Sequence, residues 1–224
     1  MLQFRSPGEN PIAIDIRELV IAGWAGRDTA AVQAHIRELA DVGVAPPSTV
    51  PLFYRVSAGR LTTAGRIQVL GPDSSGEAEA VLIGGAGRLW VGIGSDHTDR
   101  KVEAYSVAVS KEMCPKPVGP EIWPLDAVAD HWDRLILRAH AVIDGDSVLY
   151  QEGPVSGLLR PELLMAKWNG TARPLGDGQA MFCGTLAAIG GVRPATRFEM
   201  TLEDPVLNRT IRHGYDIHVL PIVA

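Results

Sequence analysis

Short apolar runs, each closed by Gly, Pro or Asp, recur about every 10 to 15 residues along this 224-residue chain. That rhythm leaves no room for long helices and suits short strands joined by turns. The 24 glycines and 16 prolines are spread as punctuation rather than gathered into a linker. Hydrophobic residues make up 46% and charged residues 21%, enough apolar material for a packed core. The length fits a single domain spanning residues 1–224.

The runs predict strands at Leu52–Val56, Arg66–Leu70, Glu77–Ile83, Leu89–Gly94, Leu135–Ile143, Ser147–Gln151, Phe198–Leu202 and Ile217–Ile222, with Gly84-Gly85 stopping the third. Asp144-Gly145 stands between two of them and predicts a hairpin, because both turn positions need positive φ. Ala31, Ala34, Ile36 and Leu39 follow helical spacing, so a helix is expected over Thr29–Asp41, capped by Asp28 or Thr29 and ended by Gly43. A short helix is expected around Leu125–Trp132. Another is expected at Pro161–Trp168, with proline in the first turn, where its missing N–H costs nothing. The fold class is therefore mainly β (α+β), with a few short helices on a β body.

Net charge is −5 and the 21 basic residues are scattered, so no basic stripe follows a phosphate backbone and no nucleic-acid partner is expected. Two cysteines, Cys114 and Cys183, are too few for a disulfide scaffold. The N-terminus lacks the basic-then-apolar pattern of a signal peptide, and the apolar stretch Ala80–Trp90 is broken by glycines and Arg88. The expectation is a cytoplasmic protein without membrane association.

Several groups could carry chemistry, and each has a plain structural alternative. Glu77 and Glu79, at i and i+2 on a strand, point to one face and want a hard cation; they would serve equally as a solvated strand face. Asp96, Asp99 and Arg100 follow a strand-like run, where polar residues line sites but also form turns and surface ion pairs. His35 and Glu38 share a helix face and together could activate water, or could be a surface pair. Lys111, one of four lysines, could end a buried strand and polarise a carbonyl, or snorkel to the surface. Gly184-Thr185 opens a glycine-rich stretch that could offer N–H groups to an anion, although it is not a phosphate loop. Cys183 reads as a buried thiol, and the five tryptophans as core or interface residues.

Taken in order, these features resemble the fumarylacetoacetate hydrolase superfamily in its C-terminal catalytic domain. The residues are His35-Ile36-Arg37-Glu38, Pro51-Leu52-Phe53-Tyr54-Arg55, Glu77-Ala78-Glu79, Asp96 with Arg100, Lys111 ahead of Gly119-Pro120, and Gly184-Thr185 with Gly190. The likeness spans roughly residues 22 to 220. Ser95 stands where that family usually has Asn, Glu103 where Gln is common, Leu186 where proline follows Gly-Thr, and Arg55 where lysine is usual, which marks a side-branch.

The resemblance implies a fumarylacetoacetase C-terminal-like mixed β roll or β-sandwich, assembled as a homodimer. It implies that Glu77, Glu79 and Asp96 hold Mg²⁺ or Mn²⁺, with Ca²⁺ also suited. His35, Glu38 and Lys111 would be catalytic, while Arg100, Gly184 and Thr185 would bind a small-molecule 2-oxo acid substrate. The implied reaction is hydrolysis of a C–C bond in an acylpyruvate-like 2-oxo acid or 1,3-diketone through a metal-stabilised enolate. Decarboxylation, dehydration or isomerisation would use the same site. A non-catalytic small-molecule-binding or structural homologue is the reading from a different class.

Overall fold

The computed structural model describes residues 1–41, 46–171 and 173–223, with the backbone alone at 35, 39 and 41. Two main sheets form the body. The first has six strands in the order Trp123–Pro124, Arg88–Ser95, Ala78–Gly85, Gln179–Thr185, Glu18–Gly23 and Leu52–Val56. Its neighbours are antiparallel except Gln179–Thr185 and Glu18–Gly23, which run parallel. The second has five strands in the order Asp146–Pro154, Ile136–Ile143, Arg197–Asp204, Arg209–Leu220 and Arg66–Leu70, the last pair parallel.

The two sheets differ in burial, and the sequence pattern follows. Every residue of Ala78–Gly85 is buried, because the six-stranded sheet is covered on both faces. On one side Ala80, Leu82, Val91, Ile93 and Met181 meet Leu137, Ala139, Phe198, Met200, Leu202 and Ile211 of the other sheet. On the far side Val81, Ile83, Trp90, Ala180 and Phe182 pack with Phe4, Ile14, Val118 and Ile122. Arg197–Asp204 instead alternates buried and more exposed residues, as a strand with one solvated face must. Trp90, Trp123 and Trp132 are core residues.

The first helix spans Thr29–Asp41, as expected, and Asp28 Oδ1 caps it by accepting from the N–H groups of Ala30 and Ala31 at 2.9 and 3.1 Å. Gly43, expected to end it, lies outside the described residues. Asp144 and Gly145 adopt φ values of 53° and 91°, the geometry their hairpin requires. The helix expected around Leu125–Trp132 divides into Asp126–Ala129 and a 3₁₀ turn at Trp132–Arg134.

Gly84-Gly85 do not stop their strand: both pair across to Leu89 and Arg88, and the reversal falls on Ala86-Gly87. The last strand is Arg209–Leu220, which begins well before the expected Ile217 and ends before Ile222. Among the described residues no helix is long and apolar enough to cross a membrane.

Candidate functional site

The register of one hairpin assembles the acidic centre. Ala78 faces Ser95 and Glu79 faces Gly94, so the strand entrance at Glu77 lies beside the strand exit at Asp96. Two hydrogen bonds lock that junction: Asp96 N–H to Glu77 O at 2.9 Å, and Glu77 N–H to the Ser95 hydroxyl at 3.2 Å. Glu77, Glu79 and Asp96 thereby bring one carboxylate oxygen each within 4.8 Å of one another, and Glu79 and Asp96 are buried.

Asp96 is the most heavily paired of the three. Lys111 Nζ lies 2.5 Å from its Oδ2 and Lys116 Nζ 3.2 Å from its Oδ1, while Thr98 adds its hydroxyl at 3.3 Å. Burial alone would raise this carboxyl, but the two ammonium groups overcome it and hold Asp96 well below the usual carboxylate range. Burial likewise works against the Lys111 charge, and Asp96 with Glu77 pulls its pKa above the ordinary lysine value. Lys116 moves the other way. It is fully enclosed, its contact with Asp96 is longer, and burial with the repulsion of Lys111 outweighs the attraction of Asp96.

Glu79 has the opposite surroundings. Its Oε2 accepts the Gly184 N–H at 2.6 Å, and it forms no ion pair among the described residues. Burial, then the charges of Asp96 and Glu77, push its carboxyl well above the ordinary range. A dry carboxylate beside two others is costly unless a cation joins it. The donor set is all oxygen, which fits a hard divalent ion such as Mg²⁺ or Mn²⁺ and excludes the sulfur and imidazole ligation of structural zinc. The residues present therefore fit such an ion.

Arg100 binds within the protein. Its Nη2 lies 3.2 Å from Glu77 Oε2, its Nη1 3.0 Å from Glu103 Oε2, and its Nε donates to the Ser75 hydroxyl at 2.7 Å. Glu103, one of the departures from the resembled pattern, thus shares the guanidinium that orients Glu77. Asp99 caps the next helical turn by accepting from Val102 N–H at 2.9 Å.

The Gly184-Thr185 turn also serves the centre from inside. Gly184 adopts φ of +94°, and its N–H is spent on Glu79, so the group held by this glycine-rich turn is the protein's own carboxyl. The Thr185 hydroxyl donates to Ala78 O at 2.9 Å and accepts from Gln151 Nε2 at 2.7 Å. Both residues close the strand Gln179–Thr185, which the apolar runs alone did not reveal.

Lys111 is not at the end of a buried strand. It sits in the helix Val107–Met113, where a helical turn delivers its ammonium to Asp96. Glu38 is exposed on the first helix and is not among the carboxylates gathered with the triad; the His35 side chain lies outside the described residues.

Sequence reading missed three supporting residues. Lys116 is hidden in a Pro-Lys-Pro stretch that reads as a turn. Gln151 clamps Ala78 N–H at 2.9 Å as well as Thr185. His97 is enclosed between Tyr215 OH and the Ser74 hydroxyl, each 2.9 Å away, and burial lowers its pKa to about 3, so it stays neutral. Cys114 and Cys183 are buried free thiols, as expected of Cys183.

Comparison with known proteins follows the same lines. The family model described as a protein of unknown function, DUF2848, matches residues 22–215. No curated protein matches the chain. Among solved structures, a candidate fumarylacetoacetate isomerase/hydrolase from Oleispira antarctica is 19% identical, with 98% of this chain and 100% of that chain covered at a TM-score of 0.67. A candidate fumarylpyruvate hydrolase from Burkholderia cenocepacia is 18% identical, with 98% and 92% covered at 0.63. A 2-keto-3-deoxy-D-arabinonate dehydratase complexed with magnesium and 2,5-dioxopentanoate is 17% identical, with 93% and 75% covered at 0.65. These likenesses establish the shared β-rich fold expected from the motifs.

Proposed function

Because the chain belongs to the DUF2848 family and carries three converging carboxylates on a fumarylacetoacetate hydrolase-like fold, we propose that it is a divalent-metal-dependent enzyme acting on 2-oxo acids. The reaction proposed is hydrolysis of a C–C bond in an acylpyruvate-like 2-oxo acid or 1,3-diketone. The observation that carries this reading is the approach of Glu77, Glu79 and Asp96 within 4.8 Å of one another, with Glu79 and Asp96 buried. Neighbouring folds that include a hydrolase and a magnesium-bound dehydratase support it.

Glu77, Glu79 and Asp96 would hold the ion. A divalent cation bound there supplies Lewis-acid polarisation of carbonyl oxygens. Lys111, on Asp96, would turn an N–H toward a substrate oxygen and neutralise charge that builds as the C–C bond breaks. Lys116 would keep Asp96 paired while Lys111 does so. Arg100 would hold Glu77 in place and add positive potential. Gly184 would keep Glu79 aimed inward, and Thr185 would fix that turn while lying next to the substrate carboxylate.

Glu38, with His35, would take the proton from an attacking water. Water adds to the acyl carbonyl, the electrons of the breaking C–C bond pass to C3 of the departing 2-oxo acid, and C3 takes the proton that Glu38 accepted, leaving a carboxylic acid and a 2-oxo acid. The chain would act as a homodimer in the cytoplasm, with a small-molecule substrate.

Calorimetric titration of chelator-treated protein with Mn²⁺, with and without oxalate, tests the reading. Stoichiometric Mn²⁺ binding is expected, tightened by oxalate and abolished in Glu79→Ala. Absence of metal binding to the wild type would overturn it and leave a recognition or structural role.

A further inference from the structure

Tyr54 stands beside the ionic centre, and Trp24 hydrogen-bonds to Tyr54. Tyr54 lies in the edge strand Leu52–Val56, paired with Ile21 of the neighbouring strand. Its half-buried ring lies 5.5 Å from Lys111 Nζ, so the ammonium that touches Asp96 also rests over an aromatic face. The ring reaches this position by crossing the backbone at Gly23. A side-chain carbon there would stand 2.6 Å from Tyr54 Cε2, so glycine is what lets the ring pass.

The next residue, Trp24, has φ of +59°. A large aromatic residue is strained in that region, where glycine or asparagine is at ease. Such strain persists where the surroundings impose it, and it concentrates at ligand-binding positions. Trp24 is neither core nor free surface: it is half-buried, and its side chain hydrogen-bonds to Tyr54. On the opposite face of the same strand, Phe53 and Arg55 pack on Trp168, so that face is already filled.

We infer that Trp24 and Tyr54 form an aromatic wall beside Lys111 that selects 2-oxo acids bearing an aryl acyl group. The inference rests on the reading above, because it takes Lys111 as the point where a substrate oxygen docks. A molecule anchored there lays its far end against the two rings. A flat unsaturated group stacks on them, whereas a small methyl ketone leaves them uncovered.

Titrations with acetylpyruvate and benzoylpyruvate, each with and without Mn²⁺, test the wall. Trp24→Gly removes the ring and relieves the strained φ, so it should fold; Tyr54→Leu keeps the strand. In the wild type benzoylpyruvate should bind about tenfold tighter than acetylpyruvate, a ratio that should fall to about twofold or less in either variant. Mn²⁺ and oxalate affinities should change by less than about twofold, which sets the wall apart from the metal centre. An unchanged benzoylpyruvate preference in both variants would overturn the wall. Loss of Mn²⁺ and oxalate binding in the wild type would instead overturn the metal-centre reading, and the metal-free titrations would still decide for or against the wall.

Discussion

Two lysines share one aspartate in this protein, and their exposures divide the work between them. Lys116 is wholly enclosed, donates to His97 O and faces Asp96 Oδ1, so it can reach nothing outside the protein. Lys111, at 6% exposure, is the one with a route to a ligand. In the proposed reaction, Lys116 would let Lys111 turn from Asp96 without leaving that carboxylate unpaired. Replacing it by Lys116→Met leaves the His97 carbonyl without this donor and half of the Asp96 pairing undone. Denaturant unfolding should register a loss of about 3 kcal/mol; a change under about 1 kcal/mol would mean Lys111 alone satisfies Asp96. The carboxylates were legible because their spacing is local: Glu77 stands at the entrance of a strand and Glu79 within it, and Asp96 follows the next one. Lys116, Gln151 and His97 were not, because burial makes them important and nothing adjacent in sequence marks burial.

Among elements, Gln179–Thr185 does most to complete the site. It runs between Glu18–Gly23 and Ala78–Gly85, and its last turn delivers Gly184 N–H to Glu79. A side chain at Gly184 would meet Ala25 Cβ at 2.8 Å in a backbone that already has positive φ. Gly184→Ala should therefore shift the turn, costing about 1–3 kcal/mol of stability, and weaken Mn²⁺ binding by about tenfold through loss of a charge-assisted hydrogen bond. Calorimetry with Mn²⁺ on the folded variant checks this, and undiminished affinity would show that Glu79 needs no such support. Strands such as Arg197–Asp204 announced themselves by alternation, and the Asp144-Gly145 hairpin by its turn chemistry. Glu18–Gly23 and Gln179–Thr185 did not. Both are central and buried on both faces, so they lack the period of two that marks a half-solvated strand. Lys111 was misplaced for a related reason: Val107-Ala108-Val109 has strand-like composition, yet Ser106 caps a helix there by accepting from Val109 N–H.

For the whole molecule, the acidic centre couples folding to pH and would couple it to the proposed cation. The Glu79 carboxyl is raised in the fold, so the metal-free protein favours its protonated form. Stability contributed by that proton is present below the ordinary carboxylate range and is lost as pH rises through the raised value. A cation must displace the same proton, so its stabilising effect grows over the same interval. Thermal unfolding should show Mn²⁺, at a hundredfold excess over its Kd, adding about 2.7 kcal/mol. That corresponds to roughly 5–10 °C in Tm for a chain of this size. The gain should be present at pH 8 and shrink as the medium is acidified, and an equal gain at every pH would remove Glu79 from the ligand set. The hydrogen bond from Gly184 to Glu79 joins residues 105 positions apart. During synthesis the three acidic residues emerge early, while the amide and the Gln151 clamp that steady them arrive much later. Closure over such a distance comes late in folding. Competence to capture the proposed cation would thus mark a finished chain, and a ribosome-bound fragment that ends before Gly184 would hold the three carboxyl groups without the amide that steadies Glu79.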